Sequence, residues 1–130
     1  MKKWTLQQLL DNGFEIQNVQ ITDVSLNMKN YGCLTLEIGL EGEGWSCYYG
    51  GYCLGKGYVG ASDDSFRGSA KGLESIMRIM DTVGVSDLSD MKSKYVRAVS
   101  DGWGSTIKII GNITKDKWFD YGSFFEEMQQ

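Results

Sequence analysis

The chain opens with Thr5-Leu6-Gln7-Gln8, which has the form of a capping box: Thr5 can accept from the third helical residue, and Gln8 can reach back. Leu6, Leu9 and Leu10 make a short apolar face, and Gly13 stands where a left-handed residue closes a helix. A short N-terminal helix is predicted. Phe14 and Ile16, then Val19 and Ile21, then Val24, Leu26 and Met28 alternate at period two. One slip in that alternation predicts a strand with a bulge near Asn18. Asn30-Tyr31-Gly32 signals a turn, and Leu34, Leu36, Ile38 and Leu40 line one face of a second strand. Gly42 and Gly44 mark the next reversal. Trp45 to Leu54 reads as a third strand broken by Gly50-Gly51, and residues 55–68 as a loop.

The most regular helical stripe runs from Ser69 to Val83, through Ala70, Leu73, Ile76, Met77, Ile79 and Met80, with Gly84 closing it. Ser86-Asp87-Leu88 caps one further short turn. Tyr95–Val99 and Ser105–Ile110 read as a hairpin around the reversal Ser100–Gly104, and Ile113–Phe119 as an edge strand. Ser123-Phe124-Phe125-Glu126 has the form of a second capping box opening a tail helix. No repeat, linker or low-complexity segment interrupts this order. The expected fold is α+β, a single domain over residues 1–130. In it an antiparallel β-sheet packs against one long central helix, with short N- and C-terminal helices.

Composition then narrows function. The 130 residues are 42% hydrophobic and 23% charged, ordinary for a globular domain, and the net charge is −4. That balance disfavours duplex nucleic acid, whose affinity rests on phosphate neutralisation. Histidine is absent, which removes Ser-His-Asp and Cys-His mechanisms and the usual imidazole ligand. Cys33, Cys47 and Cys53 form no CxxC and are odd in number. They are expected to be small buried apolar residues in a reducing cytosol. No secretory or membrane-spanning run is recognised, so a cytoplasmic location is expected. Seventeen glycines crowd around rings, most densely over Gly42–Tyr52, where close backbone approach and stacking surface coincide. No catalytic residue, metal site or cofactor is expected; the pattern points to a binder.

Four constellations could carry chemistry. Arg67 and Lys71 bracket the start of the central helix at Gly68-Ser69, where unpaired N–H groups suit an anion; an ordinary Ser N-cap beside two solvated cations explains the same residues. Tyr95 and Arg97 share a face of the predicted hairpin, and Trp103, Ser105 and Thr106 add a ring and hydroxyls at its turn. Arg97 can equally be a snorkelling side chain. Asp63-Asp64 could hold a cation or do acid–base work, but lacks EF-hand spacing and reads equally as a solvated loop. The aromatic tail Trp118–Met128 either closes the core or buries against a second chain.

Gly51-Tyr52-Cys53-Leu54, the helix segment Gly68–Val85, Lys94-Tyr95-Val96-Arg97 and Ile110-Gly111-Asn112-Ile113, in that order, resemble a family of small phage and prophage proteins, the Thoeris anti-defence sponges. The resemblance covers roughly residues 19–119, and the helix segment is its most specific part. It implies a protein that binds and sequesters a cyclic ADP-ribose isomer made by TIR-domain immune enzymes, without cleaving it, in the cytoplasm of the infected bacterial host. It also implies a homodimer or higher homo-oligomer and admits cyclic oligonucleotides at a separate site. Such a ligand carries a diphosphate and a purine, which call for Arg or a helix N-terminus and for aromatic faces. The expected ligand-binding residues are therefore Arg67, Lys71, Arg97, Trp103, Ser105, Thr106 and Asn112. Two alternatives stand beside this. One is an acidic phage protein that inhibits a host immune protein by direct binding. The other is a metal-dependent nucleotide hydrolase using Asp63, Asp64 or Asp101.

Overall fold

The computed structural model describes residues 1–102 and 104–126, together with the backbone but not the side chains of Asn30 and Asp63. Trp103, Glu127 and Met128, named in the sequence reading, lie outside the described residues. The spine is β1 (Glu15–Asn30), a 16-residue strand. It pairs antiparallel with β2 (Cys33–Gly42) along its C-terminal half and with β5 (Tyr95–Ser100) along its N-terminal half. β3 (Trp45–Lys56), β4 (Arg67–Gly68), β6 (Ile109–Gly111) and β7 (Trp118–Asp120) complete a seven-stranded antiparallel sheet in the order β4-β3-β2-β1-β5-β6-β7.

The slip in the apolar alternation of β1 is a change of face, not a bulge. Pairing with β5 is unbroken from Glu15 to Gln20. Val19 and Ile21 enter the main core with Leu36, Ile38, Leu40, Val96 and Ala98. Ile16 turns to the opposite face and, with Phe14, packs on a second cluster of Leu9, Val99, Ile109 and Trp118. That second cluster lies under α1 (Leu6–Asp11), whose Thr5–Gln8 capping box forms as the sequence predicts. The register breaks of β1 against β2 fall instead between Ile21 and Asp23 and between Asn27 and Asn30. Both faces of the sheet centre are thus apolar, which β1 encodes by switching parity between Ile16 and Val19.

A second parity change lies in β3. Gly50 and Gly51 both have positive φ, at 108° and 83°. Such a pair inserts an extra residue into the strand, so Tyr52 and Leu54 continue on the side where Tyr49 points. Any side chain at Gly50 would stand 2.3 Å from the Leu36 carbonyl oxygen. Tyr49 and Tyr52 thereby both reach Tyr121, at ring separations of 5.8 and 4.6 Å. The Tyr49 hydroxyl donates to the Phe119 carbonyl at 2.9 Å, linking β3 to β7 although they lie at opposite ends of the sheet order. The sheet therefore curls until its two sides meet.

α2 (Ala70–Val83) packs on the inside of this curl. Ser69 accepts from the Gly72 N–H as N-cap, and Gly84 ends the helix in the left-handed conformation. Gly72 lies so close to β3 that an added Cβ would sit 2.2 Å from the Leu54 carbonyl oxygen. The expectation of one long central helix is corrected. With 14 residues α2 spans about 21 Å, less than half of β1, because Gly84 stops it after four turns.

Four smaller expectations also change. The return strand predicted from Ser105 begins only at Ile109, because Gly102 and Gly104, at φ 128° and 86°, carry the chain off the sheet. The edge strand predicted over Ile113–Phe119 is confined to β7. The tail helix α3 (Tyr121–Glu126) starts two residues before Ser123, capped by Asp120, whose carboxylate accepts from the Ser123 N–H at 3.1 Å. Cys33 and Cys53 are not separate buried thiols: they form a disulfide across β2 and β3, their Cα atoms 5.2 Å apart, and Cys47 alone is free. Trp118, Phe119, Tyr121 and Phe124 are buried within the chain, so the described part of the aromatic tail closes the core.

Two outcomes follow from the glycine pair and the tyrosine cluster. Gly50→Ala combines backbone strain with a steric clash and should lower unfolding free energy by about 2–4 kcal/mol in urea titrations; Gly44→Ala, also at positive φ but in open space, should cost only about 1 kcal/mol. Burial pushes Tyr121 up to about 12, partly offset by its hydrogen bond with Ser75. The folded state then holds its proton while the unfolded chain, titrating near 10, releases it. Stability from this group is complete below about pH 10 and is lost as pH rises towards 12, by about 2–3 kcal/mol. Alkaline unfolding should follow that window, and Tyr121→Phe should make it shallower.

Candidate functional site

The seam where the curled sheet meets itself stays open on one side as a cleft of about 490 Å³. One wall is β3, with Tyr48, Gly50 and Tyr52. The other is formed by Asp120 and by Gly122, Ser123 and Glu126 of α3, with Lys2 at the rim. Thr106, Ile107 and Lys108 close one end. That end exists because the chain leaves the sheet after β5. Ile107 turns into the core while Thr106 and Lys108 face outward.

The cleft offers both groups that an anionic heterocycle needs. Tyr48 is 63% exposed and makes no ring contact with another described aromatic residue; Tyr52 is held on edge by stacking against Phe125 at 5.2 Å. Lys108 makes no ion pair with a described residue, and the Lys2 ammonium lies 4.2 Å from the Trp4 ring centre. The Asp120 carboxylate is already satisfied by the Trp4 indole N–H at 3.1 Å and the Ser123 N–H. Burial, with Asp120 and Glu126 nearby, pushes the Tyr52 hydroxyl up, so it remains a neutral donor at physiological pH. β3 pairs with β4 only at Gly55 and Lys56, so its outer edge along the cleft also presents backbone groups.

The expected site residues do not converge on this cleft. Thr106 lines it, and Ser105 lines a neighbouring cavity while its hydroxyl donates to the Gly102 carbonyl at 2.6 Å. Arg97 is committed to the fold. In one cross-strand row, Arg97 opposes Gly111, which opposes Trp118. The Trp118 ring lies flat over Gly111, and the Arg97 guanidinium sits 4.3 Å from that ring's centre. Its Nε and NH2 donate to the carbonyls of Asn112 and Lys115, both at 2.7 Å. Asn112 is equally occupied: its amide donates to Thr82 O at 3.0 Å, and its Oδ1 accepts from the N–H groups of Thr114 and Lys115. Arg67 donates to the carbonyls of Asp64 and Phe66, at 2.5 and 2.8 Å. The Lys71 ammonium lies 4.1 Å from the centre of the Phe124 ring. Trp103 lies outside the described residues. Sequence reading missed Lys2, Tyr48 and Lys108; the paired tyrosines beside Gly50-Gly51 were the signal available.

Among the described residues, no group of three or more Cys, Asp or Glu side chains is placed to hold a metal ion, and no helix is long and apolar enough to cross a membrane. The chain is thus a curled-sheet α+β protein with a cleft at the closure of its sheet. Comparison with protein-family models, with curated proteins and with solved structures found no match.

The Arg97 bonds make a direct expectation. Arg97→Ala should lower stability by about 2–4 kcal/mol, through loss of two charge-assisted hydrogen bonds and of the Trp118 contact. The affinity of the folded variant for any ligand of the cleft should stay unchanged in calorimetry. Weakened binding at unaltered stability would return Arg97 to the site.

Proposed function

We propose that the protein is a sponge for a cyclic ADP-ribose isomer: it binds the intact signal in the cleft at the sheet seam and withholds it from a host immune effector. The observation that carries this reading is the meeting of the exposed Tyr48 ring with the ammonium groups of Lys2 and Lys108 around about 490 Å³. That volume suits a nucleotide-sized ligand. Tyr48 offers a face to the purine, and the lysines and the open β3 edge offer donors to the diphosphate. The resemblance of the Gly68–Val85 and Lys94–Arg97 segments to the Thoeris anti-defence sponges supplies the identity of the ligand and the setting, the cytoplasm of an infected bacterium. In that reducing setting the Cys33–Cys53 pair would be open, and the β2–β3 ladder would hold the strands without it.

A second reading, direct binding to a protein, draws on one specific observation. Leu73 and Met77 are 65% and 69% exposed on successive turns of α2. Such a stripe suits either a second copy, as the resemblance implies, or a host immune protein.

The deciding experiment incubates purified protein with an extract in which a TIR-domain enzyme has been triggered, removes unbound material and denatures the protein. Mass spectrometry should find the intact cyclic ADP-ribose isomer in the released fraction. Lys108→Ala and Tyr48→Ala should each weaken its binding by about 1–2 kcal/mol. Recovery of linear products would replace the sponge with an enzyme. An empty protein that instead retains a host protein would favour the second reading.

A further inference from the structure

The segment Gly104–Lys108 separates the cleft, whose lining carries Lys2 and Lys108 with Asp120 and Glu126, from a second cavity of about 240 Å³ whose charged residue, among the described lining, is Glu15. Glu15 and Gln17 lie on the core-side face of β1, where β1 runs on past the end of β2 at Gly42. Trp45 fills the step. Its indole lies against Gly42, where an added Cβ would stand 2.4 Å from the ring. Its N–H reaches across the end of β2 to Gln17 Oε1 at 3.0 Å. Cys47 and Ile107 make the apolar floor, and Ser105 closes the mouth.

The charged group here is an acceptor. Among the described lining residues Glu15 is the sole formal charge, and no described side chain forms an ion pair with it. The Ser105 proton is committed to Gly102 O, so this hydroxyl can only accept from a ligand. Burial pushes the Cys47 thiol up, which keeps it a neutral wall. An indole ring, an unpaired carboxylate and a small apolar floor form the combination that recognises an organic cation: the carboxylate takes the charged N–H groups and the ring takes the flat or alkyl body.

We propose that the cavity walled by Trp45, Cys47 and Ile107, with Glu15 at its rim, is a binding site for a small organic cation carrying an ammonium or amidinium group on an apolar body. It is separate from the nucleotide cleft and does not depend on the reading of that cleft. Glu15 disfavours an anionic nucleotide in it.

The test uses benzamidinium as probe, with neutral benzamide and anionic benzoate as controls, followed by ¹H–¹⁵N spectra of the full chain. The Trp45 indole N–H, identified through Trp45→Phe, and the Gln17 side-chain amide should shift saturably with benzamidinium. Benzamide should bind about tenfold more weakly and benzoate not at all. Glu15→Gln should weaken benzamidinium about tenfold while leaving benzamide unchanged. Should that variant fold poorly, added salt on the native protein reads the same charge contribution and should weaken benzamidinium alone. Absence of saturable shifts at Trp45 and Gln17, equal affinity for the three probes, or indifference to both Glu15→Gln and salt would overturn the proposal.

Discussion

Two consecutive glycines in the left-handed region, Gly50 and Gly51, set the shape of this molecule. A strand without them would send Tyr49 and Tyr52 to opposite faces. With them, both rings meet Tyr121, which lies at the junction of β7 and α3, and the Tyr49 hydroxyl reaches the Phe119 carbonyl. That junction draws the far end of the sheet round to β3. Tyr121, Phe119 and Phe124 are almost completely buried as a result, and α2 buries one face, Gly72, Ser75, Ile79 and Val83, inside the curl. The main core depends on a ring cluster whose members come from strands that share no ladder. The cleft is the part of this closure that the rings leave unfilled.

Much of this was legible from the sequence, and the limits have physical causes. The caps of α1 and α2 are local: Thr5, Gln8, Ser69 and Gly84 act on residues within four positions, so their spacing suffices. The parity change in β1 was visible but ambiguous, because a change of face and a bulge give the same run of apolar residues. Only the α1 cluster on the reverse face, with Trp118 and Ile109 from the other end of the chain, decides between them. The tail posed the same difficulty, since rings that close a core and rings that meet a second chain look alike until their partners are known.

The site residues were harder to read for one reason. Arg97 was singled out because a guanidinium beside an aromatic is a good phosphate site, yet its acceptors are main-chain carbonyls 15 and 18 residues away. No side-chain pattern announces a carbonyl acceptor. Asn112 is consumed in the same way by the end of α2 and the turn after β6. The cleft, in turn, draws Lys2, Tyr48, Lys108 and Ser123 from four separate segments, so no spacing in the chain links them. What the sequence did carry was the coincidence of glycine and tyrosine over Gly42–Tyr52, because the residues that bend the strand sit between those that line the cleft.

The nine residues between the paired parts of β5 and β6 organise the remaining surface. Had they continued the hairpin, Ile107 would lie on a regular strand and the sheet end would be flush. Instead Gly102 and Gly104 release the chain, Ile107 turns into the core, and the exposed Ser105 and Thr106 before it line different hollows. Thr106 and Lys108 line the cleft with Lys2, Asp120 and Glu126; Ser105 lines the cavity with Glu15. A single excursion therefore divides one opening of the curled sheet into two compartments, one carrying lysines and carboxylates together and the other the Glu15 carboxylate. The two linings are kept apart without any movement of the fold, because the septum between them is the buried Ile107.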